Sequence, residues 1–243
     1  MSATSTPADS GRHSVSFTVN ACNSDAPFIE STLRHMLPAL GFPFAERFIT
    51  YDPGRQEGKY AERAVGDRAT MEAIFQRLLD ERVIDRVDVV PWNQPEQQRI
   101  LGTYFGGTQV DLKDFSGAPI YQYLYALDRC EGTYVFHADS DMLFHRAVDE
   151  SWIDQGIELM QQEPRVVVTC PRAGPPQARN WLERLAGRSF EPTPTEKWRR
   201  VDFTSTRYFL MDMAKFRTAL PLVQSRPGEP LENSLTHTIK LRG

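Results

Sequence analysis

Short runs of β-branched and aromatic residues alternate with amphipathic segments along most of this chain, and that alternation leaves few folds open. Residues 14–19 (SVSFTV), 47–51 (RFITY), 86–91 (RVDVVP) and 134–136 (YVF) have the composition of strands. Between them, Ile29, Leu33, Met36, Leu37 and Leu40 recur at helical spacing, as do Met71, Ile74, Phe75, Leu78 and Leu79, and then Ile120, Leu124 and Leu127. Pro27 suits the first turn of the first helix, and Gly41 with Pro43 ends it. The charged stretch 55–67 reads as a loop or a solvated helix start. Residues 93–114 read as loops on account of Gly102, Gly106 and Gly107. Strand, helix, strand, helix in this order predicts an α/β fold, a mainly parallel sheet with helices on both faces. Such sheets bind ligands beyond the carboxyl ends of their strands, where Asn20, Asp52 and Asp139 fall.

The later part is less regular. Ile153, Ile157 and Met160 mark a helix, 165–169 and 206–211 strands, 213–220 a helix, 226–230 a Pro/Gly loop and 231–241 a closing helix. Residues 171–200, rich in Pro and Arg and carrying Trp181 and Trp198, read as a long excursion, and loops of that length are usually functional or disordered. Residues 1–13 are polar and read as a disordered leader without an apolar signal core. The expected organisation is one domain over 14–243, with a first half to 141 and a second half from 142. A net charge of −4 argues against a nucleic-acid partner, and no apolar run approaches the length of a membrane span. Cys22, Cys130 and Cys170 lack metal-site or disulfide spacing, so a reduced, cytoplasmic setting is expected, with contact to a membrane surface left open.

The chemistry-bearing motif is Asp139-Ser140-Asp141, directly after an apolar strand. Two carboxylates one residue apart suit a hard cation, and Mg²⁺ typically takes one or two carboxylates plus substrate phosphates; Mn²⁺ shares the preference for oxygen. Such an ion also offsets charge on a departing phosphate group.

The segment TYVFHADSDMLF resembles the Asp-x-Asp strand of glycosyltransferases of the A-type, Rossmann-like fold, especially the inverting family 2. SFTVNACNSDAPFIESTLRHML resembles that family's first strand, loop and helix, and RFITYDPG its second strand with the terminal Asp. The resemblance implies a nucleotide-sugar half (14–141), an acceptor half (142–243) and transfer of a sugar from a nucleoside-diphosphate sugar to a small or glycan acceptor, with inversion and with Mn²⁺ or Mg²⁺. It places Asn20 and Asn23 in the nucleotide pocket, Asp52 by the base or ribose, Asp139 by ribose and metal, and Asp141 as principal metal ligand. Glu232 in PLENSLTH becomes the candidate general base, with Glu229 its competitor, and His237 a candidate metal ligand. The chain departs from the family's paired Asp and Gly-Ser turn with Tyr51-Asp52-Pro53-Gly54, and from its acidic pair with Glu232-Asn233.

Each residue also has a plainer role. Asn20 and Asn23 suit helix caps, Asp52 its own turn, Glu232 the first turn of a helix and His237 a helix face. Arg165, Arg172, Arg179, Arg199 and Arg200 can meet a diphosphate or form a solvated face. Tyr121, Tyr123 and Tyr125 read as packing or surface residues, and Trp181 and Trp198 as partly buried rings or sugar-stacking ones. A nucleotidyltransferase needs a Gly-bearing loop after the first strand, which residues 20–25 lack. An EF-hand needs Gly where Phe144 stands. A haloacid-dehalogenase-type phosphatase carries its Asp-x-Asp near the chain start, followed by Thr or Val rather than Met142. That phosphatase and a nucleotide-sugar-binding protein without turnover are the alternatives.

Overall fold

The computed structural model describes residues 13–54, 58–63, 66–145, 151–171, 198, 201 and 203–242. Almost all of the leader and of the 171–200 excursion, including Arg172, Arg179, Trp181, Arg199 and Arg200, lies outside the described residues. Six strands, β1 (Val15–Cys22), β2 (Glu46–Asp52), β3 (Arg86–Val89), β4 (Tyr134–Asp139), β5 (Val168–Thr169) and β6 (Tyr208–Asp212), form one sheet in the order β3-β2-β1-β4-β6-β5. β1 to β4 run parallel, and β6 pairs antiparallel with both β4 and β5. The expected mainly parallel α/β sheet is present, with one strand reversed.

The pleat sorts β1 into two faces. Val15, Phe17, Val19 and Ala21 pack on one face with α1 (Ile29–Leu40), α2 (Arg68–Asp80) and α5 (Trp152–Gln162). The other face belongs to a second core of α3 (Gln94–Phe105), α4 (Tyr121–Arg129), α6 (Met213–Ala219) and α7 (Leu231–Arg242), built on Phe48, Val135, Phe209 and Met211. There β1 presents Ser16, Thr18 and Asn20, all buried. Register sets Asn20 beside Thr50 of β2 and Asp139 of β4, so polar side chains lead along the sheet to its carboxyl edge.

Local reading fails in a few places. Residues 94–105 are helical: the Asn93 side chain accepts from the Glu96 amide (3.0 Å), Pro95 stands in the first turn, and Gly106 closes the helix at φ +64. Gly102 is accommodated because nothing packs against its α-carbon, and Ile100 and Tyr104 carry the apolar stripe. Pro27 precedes α1 instead of starting it. The chain first makes a short 3₁₀ turn, Asn23–Asp25, held because Asp25 Oδ2 accepts from the Cys22 amide (2.8 Å). The strand expected over 165–169 shortens to two residues. Among the described residues no helix is long and apolar enough to cross a membrane.

Candidate functional site

A cavity of about 780 Å³ opens at the carboxyl ends of β1, β2 and β4, within the range of small-molecule sites. Its wall contains Asn20, Asp52, Asp139, Asp141 and Glu232, five of the residues singled out in the sequence.

Asp139 is the last residue of β4, and its amide donates to the Arg207 carbonyl (2.7 Å), which fixes the strand end against the start of β6. The Tyr123 hydroxyl, on α4, donates to Asp139 Oδ1. His137 Nε2 stands 3.5 Å from the same oxygen, its ring stacked on Phe209. Burial, together with the Asp139 charge, pushes the Tyr123 phenol well above its usual range, so it stays a proton donor. Asp141 is half-exposed in the turn that follows. Arg207 joins the two carboxylates: its Nη2 donates to Asp141 Oδ1 (2.7 Å) and its Nε lies 3.5 Å from Asp139 Oδ2. The turn is pinned from below by Thr32, whose hydroxyl donates to the Ser140 carbonyl (2.6 Å).

The buried Asp52 carboxylate accepts from the Trp92 indole N–H and the Gly54 amide, both at 2.8 Å. It therefore closes its own turn, as Asp-Pro-Gly predicts, and also lines the cavity. Asn20 is 8% exposed, and neither its amide nitrogen nor its oxygen has a partner among the described residues. Buried polar groups are rarely left so, which marks Asn20 as a group that a bound molecule would satisfy. Asn23 is different. It does not line the cavity; it accepts from the Tyr51 hydroxyl and its Nδ2 donates to the Pro53 carbonyl (3.4 Å), tying two loops together.

Glu232, in the first turn of α7, faces the cavity and accepts from the Thr206 hydroxyl (2.9 Å). Glu229 is buried and engaged by the Ser225 amide and the Ser234 hydroxyl, both at 2.8 Å, so it stabilises the loop into α7. His237 is exposed on α7 and is not among the cavity residues; its sequence position near a late metal ligand does not bring it to the carboxylates. Arg165 is exposed and also off the cavity.

Sequence reasoning missed Tyr123, Arg207, Thr206, Asp25, Lys59 and Lys113, all on the cavity wall. Asp25 has its carboxyl pushed up to about 6 by burial, against the hydrogen bond from Cys22. Burial also lifts the neighbouring Cys22 thiol to about 11, which keeps it protonated and unreactive at neutral pH.

Among the described residues no group of three or more His, Cys, Asp and Glu side chains is placed to hold an ion alone. Asp139 and Asp141 nevertheless suit a Mg²⁺ or Mn²⁺ ion that takes its remaining ligands from phosphate oxygens and water. Fold and cavity together define an α/β protein with a polar, carboxylate-bearing small-molecule site at the carboxyl edge of its sheet.

No family model matches the sequence, and no curated protein matches it. Among solved structures it is similar to residues 1–349 of TarS from S. aureus, with 13% identity, 94% of this chain and 56% of that chain covered, and a TM-score of 0.48. It is also similar to glucosyl-3-phosphoglycerate synthase from M. tuberculosis (16% identity, 96% and 68% covered, TM-score 0.42). A structure of that synthase with Mn²⁺, UDP and phosphoglyceric acid matches over 65% of this chain and 42% of that chain, with 15% identity and a TM-score of 0.31. At 13–16% identity and TM-scores of 0.31–0.48, these similarities assign no activity to this chain. The chain spans just over half the length of the TarS structure.

Proposed function

We propose that this chain is a glycosyltransferase that moves a sugar from a nucleoside-diphosphate sugar to an acceptor hydroxyl, with inversion at the anomeric carbon as the sequence resemblance implies. The observation that carries the reading is the convergence of Asn20, Asp52, Asp139, Asp141 and Glu232 on one cavity, from four points spread over most of the sequence.

In this reading Asp52, held by Trp92 and Gly54, meets the base or ribose, and Asn20 gives its unpartnered amide to the nucleotide. Asp139 and Asp141 hold Mg²⁺ or Mn²⁺, which when bound offsets charge on the diphosphate leaving group. Tyr123 fixes the rotamer of Asp139 by hydrogen bonding to one of its oxygens. Glu232 takes the proton of the acceptor hydroxyl as that oxygen attacks, and Thr206 holds the carboxylate toward the cavity. The acceptor is a small molecule or one exposed sugar of a larger one.

The test is donor consumption and product formation in wild type, Glu232→Gln and Asp141→Ala. Glu232→Gln should lower kcat by about 10²- to 10⁴-fold while leaving nucleotide affinity near wild type. A Glu232→Gln protein with full turnover would remove Glu232 from the chemistry.

A further inference from the structure

The residue placed between the two metal-binding candidates is a cation of the protein itself. Arg207 contacts both carboxylates, at 2.7 Å from Asp141 and 3.5 Å from Asp139. Its carbonyl is fixed by the Asp139 amide, so the backbone cannot withdraw without disturbing the β4–β6 pairing; the side chain, half-exposed on the cavity wall, is the part free to move. A divalent ion on these carboxylates would be repelled by the guanidinium, which already occupies Asp141 Oδ1. A diphosphate in the same cavity offers the planar guanidinium a bidentate alternative partner in its phosphate oxygens.

We infer that Arg207 is a two-position side chain: it pairs with Asp139 and Asp141 while the cavity is empty, and turns to the donor's diphosphate when a divalent ion takes the carboxylates. The inference rests on the metal-dependent reading above. It makes ion and nucleotide binding mutually supporting, because the ion alone must displace Arg207 into water whereas the ion with a diphosphate gives it a new partner. Two carboxylates left without a counter-charge would otherwise attract ions indiscriminately, and Arg207 suppresses that.

Mn²⁺ binding to the protein without nucleotide, followed by the electron paramagnetic resonance signal of free Mn²⁺, reads the inference directly. Arg207→Ala should bind Mn²⁺ alone tighter than wild type by about tenfold. Arg207→Lys, which keeps the charge, should stay near wild type, and adding Asp141→Ala to Arg207→Ala should abolish the gain. A purely structural Arg207 would give no such tightening, and its loss would not be rescued by Lys. Unchanged or weaker Mn²⁺ binding in Arg207→Ala overturns the inference, as does a gain that survives Asp141→Ala. If wild type binds nucleoside diphosphates with Mn²⁺ while Arg207→Ala shows no gain, only the Arg207 inference falls. If no nucleoside diphosphate binds wild type with Mn²⁺ or Mg²⁺, the metal reading falls and takes the inference with it.

Discussion

Asp139 and Asp141 stand on opposite sides of Ser140 and are handled differently: the first is held by the Tyr123 hydroxyl and by its amide's bond to the Arg207 carbonyl at the start of β6, the second is exposed and meets only Arg207 among the described residues. In the proposed metal site, the exposed Asp141 contributes a ligand without holding the fold together. Asp141→Ala should therefore abolish metal-dependent nucleotide stabilisation while leaving the apo stability within about 0.5 kcal/mol of wild type, since the residue is exposed. Asp25 makes a pH prediction. Its folded-state carboxyl, raised from 3.8 to about 6 by burial, holds its proton more tightly than the unfolded one. Between pH 4 and 6 the folded state therefore binds more protons, and stability contributed here falls as pH rises through that window. Asp25→Asn should be more stable than wild type at pH 7, on the order of 2 kcal/mol for a half-buried carboxyl, with the difference gone below pH 4. Urea unfolding at the two pH values checks it; a difference that does not shrink in acid would contradict the assigned cause. At this scale the sequence exposed what lies at strand ends, Asn20, Asp52 and Asp139, because a strand end is a local property. Tyr123 and Arg207 were not legible, because each reaches Asp139 or Asp141 only through the way α4 packs on the sheet and β6 returns beside β4.

The elements hold the site through contacts that cross the sheet. Gly132 is an example: a Cβ there would come within 2.6 Å of the Ser16 amide and 2.8 Å of the Tyr134 carbonyl, so the start of β4 can approach β1 only without a side chain. Ser16 in turn receives the Gly132 amide (2.8 Å). Gly132→Ala should lower stability by about 1–3 kcal/mol in denaturant unfolding and disturb the β1–β4 register that sets Asn20 beside Asp139. An unchanged midpoint would show that the strands can part there freely. The parallel strands and α1, α2 and α4 were readable because period and composition agree in them. The helix over 94–105 was obscured by three glycines, of which Gly106 is its left-handed terminator and Gly102 sits where no neighbour requires a side chain. The strand composition of 165–169 and 206–211 is local, but the shortening of β5 and the reversal of β6 depend on tertiary pairing.

For the whole molecule, the sheet delivers three strand ends to one edge while α4 and α7 close the other side of the cavity with Tyr123 and Glu232. Glu232, the sequence candidate, and its competitor Glu229 are separated by this arrangement: Glu229 is consumed by the loop into α7, and Glu232 faces the cavity. The central claim is that this cavity takes a nucleoside diphosphate together with a divalent ion. Thermal melting of the wild-type protein with UDP, GDP, ADP, CDP and dTDP, each with and without Mn²⁺ or Mg²⁺, tests it most directly. A nucleotide at 100 times its Kd adds about 2.7 kcal/mol, a rise of roughly 5–10 °C for a chain of this size. The account predicts that rise for one nucleotide, only with the ion present; no shift with any of the five under either metal would contradict it.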